Sequence, residues 1–152
     1  MTKPDFQYET WIRTTPQQLW EAITSPEFTR QYFHGMAIES DWVTGSPVRF
    51  RYPDGRVGVE GEIIESEPHG RLAYTWRFLH DSALAAEAPS RVDWEIEAKE
   101  GVCRLRVSHT GFAPGSRVLP MITEGWSPIL CSLKSLLETG AALADVPSAP
   151  AA

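Results

Sequence analysis

The feature that most limits the fold is an apolar–polar alternation with a period of two, repeated in segments from Met36 to about Thr110. That period puts alternate side chains on opposite faces of a pleated strand, and a helix does not produce it. Val48, Phe50 and Tyr52 fall on one side, with Arg49 and Arg51 on the other. After the turn Pro53-Asp54-Gly55, Val57, Val59, Gly61 and Ile63 share a face opposite Glu60 and Glu62. Leu72, Tyr74, Trp76 and Phe78 stand against Arg71, Thr75 and Arg77, and Val92, Trp94 and Ile96 against Asp93, Glu95 and Glu97. Cys103, Leu105, Val107 and His109 oppose Arg104, Arg106 and Ser108. Each segment has one apolar and one charged face, the pattern of an antiparallel sheet covered on one side.

Charge then selects a register, because a hairpin places specific residues opposite each other. Pairing Ala98 with Cys103 sets Glu97 against Arg104, Glu95 against Arg106 and Trp94 against Val107. The earlier hairpin sets Arg49 against Glu60 and Phe50 against Val59, and a slip of one residue spoils both faces. Pairing Ser66 with Arg71 puts Gly61 across from Trp76, where a bare backbone leaves room for the indole. The plainer reading of the charged residues is a solvated outer face.

Other segments switch to helical signals. Phe6 to Arg13, rich in aromatic and β-branched residues, predicts a first strand. Thr15 followed by Pro16, and Ser25 followed by Pro26, each mark a helix start, with Leu19, Trp20 and Ile23 on one apolar face and Gly35 as the second stop. Val118, Leu119, Ile122, Trp126, Ile129, Leu130, Leu133, Leu136 and Leu137 recur at three and four, a wide helical stripe ending at Gly140. Pro128 removes the bond to Glu124, which predicts a kink near Glu124 to Ser127 or a fresh start at Ser127. The expected class is α+β, a curved antiparallel sheet of about seven strands around a long C-terminal helix, with two short helices between strands 1 and 2. A single domain is expected over residues 5–140, with residues 141–152 as a flexible tail.

Composition excludes several functions. Twenty acids against 14 bases give a net charge of −6 without a basic cluster, which sets nucleic acid aside. No apolar run approaches the roughly 20 residues needed to span a bilayer. The N-terminus, Met1 to Tyr8, lacks the apolar core of a secretory signal, so the expected location is cytoplasmic.

The order of elements, together with Thr15 to Pro26 (TPQQLWEAITSP), Gly61-Glu62-Ile63-Ile64-Glu65 with Pro68, Arg71-Leu72, Thr75-Trp76, His109-Thr110-Gly111-Phe112, and Gly125-Trp126 with Leu130, Leu133 and Lys134, resembles the helix-grip fold of the START and birch-pollen-allergen (SRPBCC) superfamily. Within it the chain is similar to the activator of heat-shock-protein-90 ATPase homologue (AHSA1-like) family, from about Tyr8 to Gly140. Gly45-Ser46 stands where the family often has a glycine pair, and Tyr32 where many relatives place Trp. The resemblance implies a hydrophobic cavity between sheet and long helix, used across the superfamily for lipids, steroids, flavonoids and polyketides. It implies no particular reaction.

Among titratable groups His109 is singled out, because the alternation points it inward with Leu105 and Val107. There it could bond a ligand oxygen or act as a general acid or base, and the plainer reading is a histidine at the core edge bonded to a backbone carbonyl. Cys103 lies roughly 20 Å from it at ~3.3 Å per residue, too far for a shared metal. His34, His69 and His80 lack paired spacing, so no metal or cofactor is expected. Cys103 and Cys131 are expected to be buried thiols rather than a disulfide. The sequence has no nucleophile elbow, P-loop or dinucleotide fingerprint, which weakens an enzymatic reading without removing it and leaves no catalytic residue assigned.

The inward aromatics carry more information. In a small domain they usually fill the core, yet large rings along a curved sheet can hold a helix away and leave an apolar pocket with polar tips. Phe50, Tyr74, Trp76, Trp94, His109, Trp126 and Leu130 are the candidate ligand-binding residues, and the link from Leu79 to Ser90 could form a lid or be a mobile loop. The leading expectation is a module binding a hydrophobic small molecule. A chaperone-linked protein-interaction role and a cavity enzyme of cyclase or hydrolase type, using His109 as acid or base, stay open, as does a homodimer through an edge strand or the long helix.

Overall fold

The computed structural model describes residues 5–143. The expected tail beyond Leu143 lies outside the described residues. In chain order the elements are β1 (Phe6–Ile12), α1 (Pro16–Thr24), α2 (Pro26–Tyr32), β2 (Ala37–Ser40), β3 (Pro47–Arg51), β4 (Val57–Glu67), β5 (Arg71–Phe78), α3 (Ser82–Ala85), β6 (Ser90–Lys99), β7 (Val102–Thr110) and α4 (Val118–Thr139). The strands pair antiparallel in the order β1-β7-β6-β5-β4-β3-β2, one open sheet of seven curved around α4. This is the expected α+β helix-grip architecture.

The charge-selected registers hold. Glu97 faces Arg104, Glu95 faces Arg106 and Trp94 faces Val107; Arg49 faces Glu60 and Phe50 faces Val59. Along β4 and β5 the expectation is correct only on one side of a bulge. Ile63 pairs with Tyr74, but the register shifts before Glu65, so Glu67 rather than Ser66 meets Arg71. The extra residue bends the strand and increases its twist. At Gly61 the close neighbour is not the expected Trp76 indole but backbone: a Cβ there would lie 1.8 Å from the Thr75 carbonyl oxygen.

Local chemistry sets the helix ends. The Thr15 hydroxyl accepts from the Gln18 N–H at 3.1 Å, and Pro16 occupies the first turn. Ser25 makes no side-chain cap bond, and α2 stops at Tyr32, before Gly35. The helix α4 begins under a two-layer cap. The Ser116 hydroxyl oxygen accepts from Val118 and Leu119 N–H at 3.1 and 3.3 Å. The Glu87 carboxylate accepts from the Ser116 hydroxyl at 2.6 Å and the Arg117 N–H at 2.8 Å. At the other end Gly140 has φ 87° and its N–H bonds the Leu136 carbonyl at 2.9 Å. Of the kink or fresh start expected at Pro128, the fresh start does not occur: α4 runs unbroken through Pro128. Glu124, whose carbonyl loses its partner, is exposed, so water can satisfy it.

The inner stripe of α4, with Ile122, Trp126, Ile129, Leu130, Leu133 and Leu136, is buried. The helix packs against β1, α1 and α2. Full burial of such side chains is worth about 1.5–3 kcal/mol each, which is what holds helix to sheet. Both cysteines are free; Cys103 is buried, but Cys131 is exposed, correcting the expectation. One position beyond Leu130, it turns about 100° off the buried stripe. The link before β6 is anchored rather than loose: Asp81 caps α3 through Ala83 N–H at 2.7 Å, and Leu84 is buried. No helix among the described residues is long and apolar enough to cross a membrane.

Candidate functional site

The alternating faces of β3, β5, β6 and β7 and the stripe of α4 converge on one aromatic cluster. Phe50, Tyr74, Trp94, His109, Trp126 and Leu130 are at most 2% exposed, and Trp76 4%. They pack ring against ring. Trp126 lies 5.6 Å from Trp94 and 5.8 Å from Trp76 between ring centres. Trp76 lies 5.5 Å from both Phe50 and His109, and Leu130 follows one turn after Trp126 on α4. Phe33, which the sequence pattern did not mark, is central to the cluster: its ring touches Phe50 at 4.8 Å, Trp126 at 5.7 Å and Trp76 at 6.2 Å. It follows the last residue of α2, where no period applies.

The polar tips inside the cluster are bonded to each other. The Trp94 indole N–H donates to the Tyr74 hydroxyl at 3.0 Å. The Trp126 indole N–H donates to His109 Nδ1 at 3.0 Å. An indole N–H only donates, so Nδ1 carries no proton and the neutral ring is protonated at Nε2. That N–H donates to the Ser90 hydroxyl at 2.7 Å, and the hydroxyl reaches the Trp76 carbonyl at 3.4 Å. The chain fixes one tautomer of His109 and uses both its nitrogens. Burial pushes the His109 pKa down to about 3. Burial also raises the Tyr74 pKa above the usual phenol range, against a smaller lowering by the Trp94 N–H. A histidine that is neutral at physiological pH, with both nitrogens occupied, is poorly placed to be a general acid or base.

Beside the cluster lies open volume. A void of about 10 Å³ is lined by residues that include Trp76, Phe78, Leu84, Ser90, Phe112 and Val118. Glu87, Ala88 and Phe112 are shared with a cleft of about 210 Å³ that continues along Gly111–Ser116. Phe112 packs tilted against His109 at 4.9 Å and Phe78 meets Trp76 edge-on at 5.5 Å between ring centres, so the cleft leads to the aromatic cluster. Among the described residues the buried side-chain nitrogens without a partner are His34 Nε2, Trp76 Nε1, Arg77 Nε and both ring nitrogens of His80, and of these residues Trp76 and Arg77 border the void. No group of three His, Cys, Asp or Glu among the described residues is placed to hold a metal ion.

Comparison with known proteins agrees with this architecture. The sequence profile of the family described as Activator of Hsp90 ATPase homolog 1-like protein matches residues 13–138. No curated protein matches the chain. Among solved structures, protein MLL2253 of Mesorhizobium loti is 25% identical, with a TM-score of 0.74 over 87% of this chain and 95% of its own. The Aha1 dimer of Colwellia psychrerythraea is 18% identical, with a TM-score of 0.71 over 89% of this chain and 96% of its own. An HSP90 activator of Plasmodium falciparum is 20% identical, with a TM-score of 0.66 over 80% and 86%. With the profile covering residues 13–138, most of its length, the chain belongs to the Activator of Hsp90 ATPase homolog 1-like family.

Proposed function

We propose that the protein is a small-molecule binding module that takes an apolar or aromatic ligand, lipid-, sterol-, flavonoid- or polyketide-like, at the end of the sheet where the cleft meets the aromatic cluster. The observation that carries this is the shared lining: Glu87, Ala88 and Phe112 border both the 210 Å³ cleft and the inner void against Trp76. A concave site that sets apolar side chains beside a small number of polar groups is the usual form of a small-molecule pocket, and this lining sets Phe112, Phe78 and Trp76 beside Glu87 and Ser90. In this reading Phe112, Phe78 and Trp76 contact the ligand. Behind them Phe50, Tyr74, Trp94, His109, Trp126 and Leu130 form a rigid wall, with His109 holding Trp126 and Ser90 in place.

The test is native mass spectrometry of the freshly purified protein, then tryptophan-fluorescence titration with fatty acids, sterols and flavonoids. Co-purifying molecules or saturable quenching are expected, and both should be lost on Ala88→Trp, which fills the mouth from an exposed position. A ligand-free mass with no response across the panel overturns the reading.

The family description favours a second reading, a chaperone-linked interaction. Trp11, 47% exposed on the edge strand β1, is a surface such an interaction could use. Under this reading the chain raises the ATPase rate of purified Hsp90 and Trp11→Ala removes the effect; an unchanged rate excludes it.

A further inference from the structure

Three indoles are buried in the cluster, and they are not equivalent. Trp94 and Trp126 donate to Tyr74 and His109 at 3.0 Å each. Trp76, 4% exposed, has no acceptor for its Nε1–H among the described residues. A buried donor left unmade carries its full desolvation penalty, which is why such groups are rare and call for a partner. Trp76 lines the inner void, whose 10 Å³ is about the room that one oxygen-sized group needs.

The neighbours do not supply that oxygen. The Ser90 hydroxyl is engaged by His109 and the Trp76 carbonyl. The Glu87 carboxylate is held by Ser116 and Arg117 at the mouth. Anything that reaches Trp76 through the cleft must therefore bring its own acceptor. The charges nearby disfavour an anion. Glu87 stands at the mouth, the protein carries −6 overall, and Arg77, although it borders the void, alternates to the sheet face opposite Trp76 and Phe78. An anion would lose its hydration for one neutral donor.

We propose that Trp76 is the polar anchor of the site, and that the site selects apolar molecules bearing one neutral carbonyl, with the ring body in the cleft and the carbonyl oxygen on Trp76 Nε1–H. This rests on the ligand-binding reading above.

The experiment titrates the full chain calorimetrically with three probes of one shape: β-acetonaphthone, β-ethylnaphthalene and β-naphthoate. The ketone is expected to bind about 10-fold more tightly than the hydrocarbon, the size of one net hydrogen bond, and the carboxylate most weakly. In Trp76→Phe the ketone advantage disappears while hydrocarbon affinity stays within about 2-fold. A second measurement does not depend on that variant folding. In the wild type, the indole N–H resonance assigned to Trp76 through its contact with Phe78 moves downfield with the ketone and not with the hydrocarbon. Equal affinity for ketone and hydrocarbon, preference for naphthoate, or an indifferent Trp76 resonance, as a permanently held water would give, overturns the proposal and leaves the binding module standing. Failure of all three probes to bind overturns both.

Discussion

His109 shows how one residue can be placed by sequence while its role is not. Alternation along β7 is local, so its inward direction was legible beside Leu105 and Val107. Its partners Ser90 and Trp126 come from β6 and α4, and nothing in the neighbouring sequence marks them. The acid–base possibility gives way to a structural one, with a measurable consequence. Folded, His109 holds off its proton to about pH 3; unfolded, it binds near 6.5. Between those values the unfolded state binds more protons, so stability is full above pH 6.5 and falls as pH drops, by about 1.4 kcal/mol per unit from this residue. His34 and His80 are shifted down by burial and act in the same direction, so the readout is a difference between proteins. His109→Gln, which keeps an acceptor for Trp126 and a donor for Ser90, should lower stability at pH 7 by about 1–3 kcal/mol. It should also flatten the loss between pH 6.5 and 5 in urea denaturation, and parallel curves would refute the burial argument. Gly61 gives a second prediction. Gly61→Ala puts a Cβ onto the Thr75 carbonyl oxygen, and backbone cannot step aside as a flexible side chain does. A loss of about 3 kcal/mol or more in the same assay is expected, by overpacking and loss of strand pairing.

At the level of elements, what the sequence made legible follows from how local each signal is. Strand faces, hairpin registers and the α4 stripe are periodic within a few residues, and charge complementarity across β6 and β7 fixed their pairing. The bulge in β4 left only a faint trace, the apolar doublet Ile63-Ile64 that breaks the alternation. Phe33, Leu84 and Phe112, which complete the cluster and its mouth, lie in a cap, a one-turn helix and a loop. Position there depends on long-range packing, so sequence spacing could not find them. The Glu87 cap on α4 is of the same kind: it joins residues 29 and 30 positions apart, through Ser116 and Arg117. A carboxylate at a helix N-terminus satisfies free N–H groups and complements the helix dipole. Glu87→Ala should therefore destabilise the chain by about 1 kcal/mol. The loss should concentrate as faster amide exchange at Arg117 to Leu119, and uniform exchange would mean that the cap adds nothing local.

For the whole molecule the aromatic cluster has two opposed tasks, closing the core and bordering a site. The geometry divides them along the sheet. Tyr74, Trp94, His109 and Trp126 bond one another, with Ser90 completing His109, while at the other end Trp76 Nε1, on a residue that borders the void adjoining the cleft, has no partner among the described residues. A ligand bound at that end would add contacts to α3, the β7–α4 loop and the sheet together, and would stabilise the folded chain by mass action. At a free concentration 100 times the dissociation constant the gain is about 2.7 kcal/mol. For a chain of this size each kcal/mol moves the melting midpoint by about 2–4 °C. A ligand found by titration should therefore raise the wild-type midpoint by roughly 5–10 °C in a thermal-shift assay. The Ala88→Trp protein, whose own midpoint should lie close to wild type because the position is exposed, should show no rise. An equal rise in both proteins would place the ligand away from the cleft, and the division of the cluster into wall and mouth would then fail.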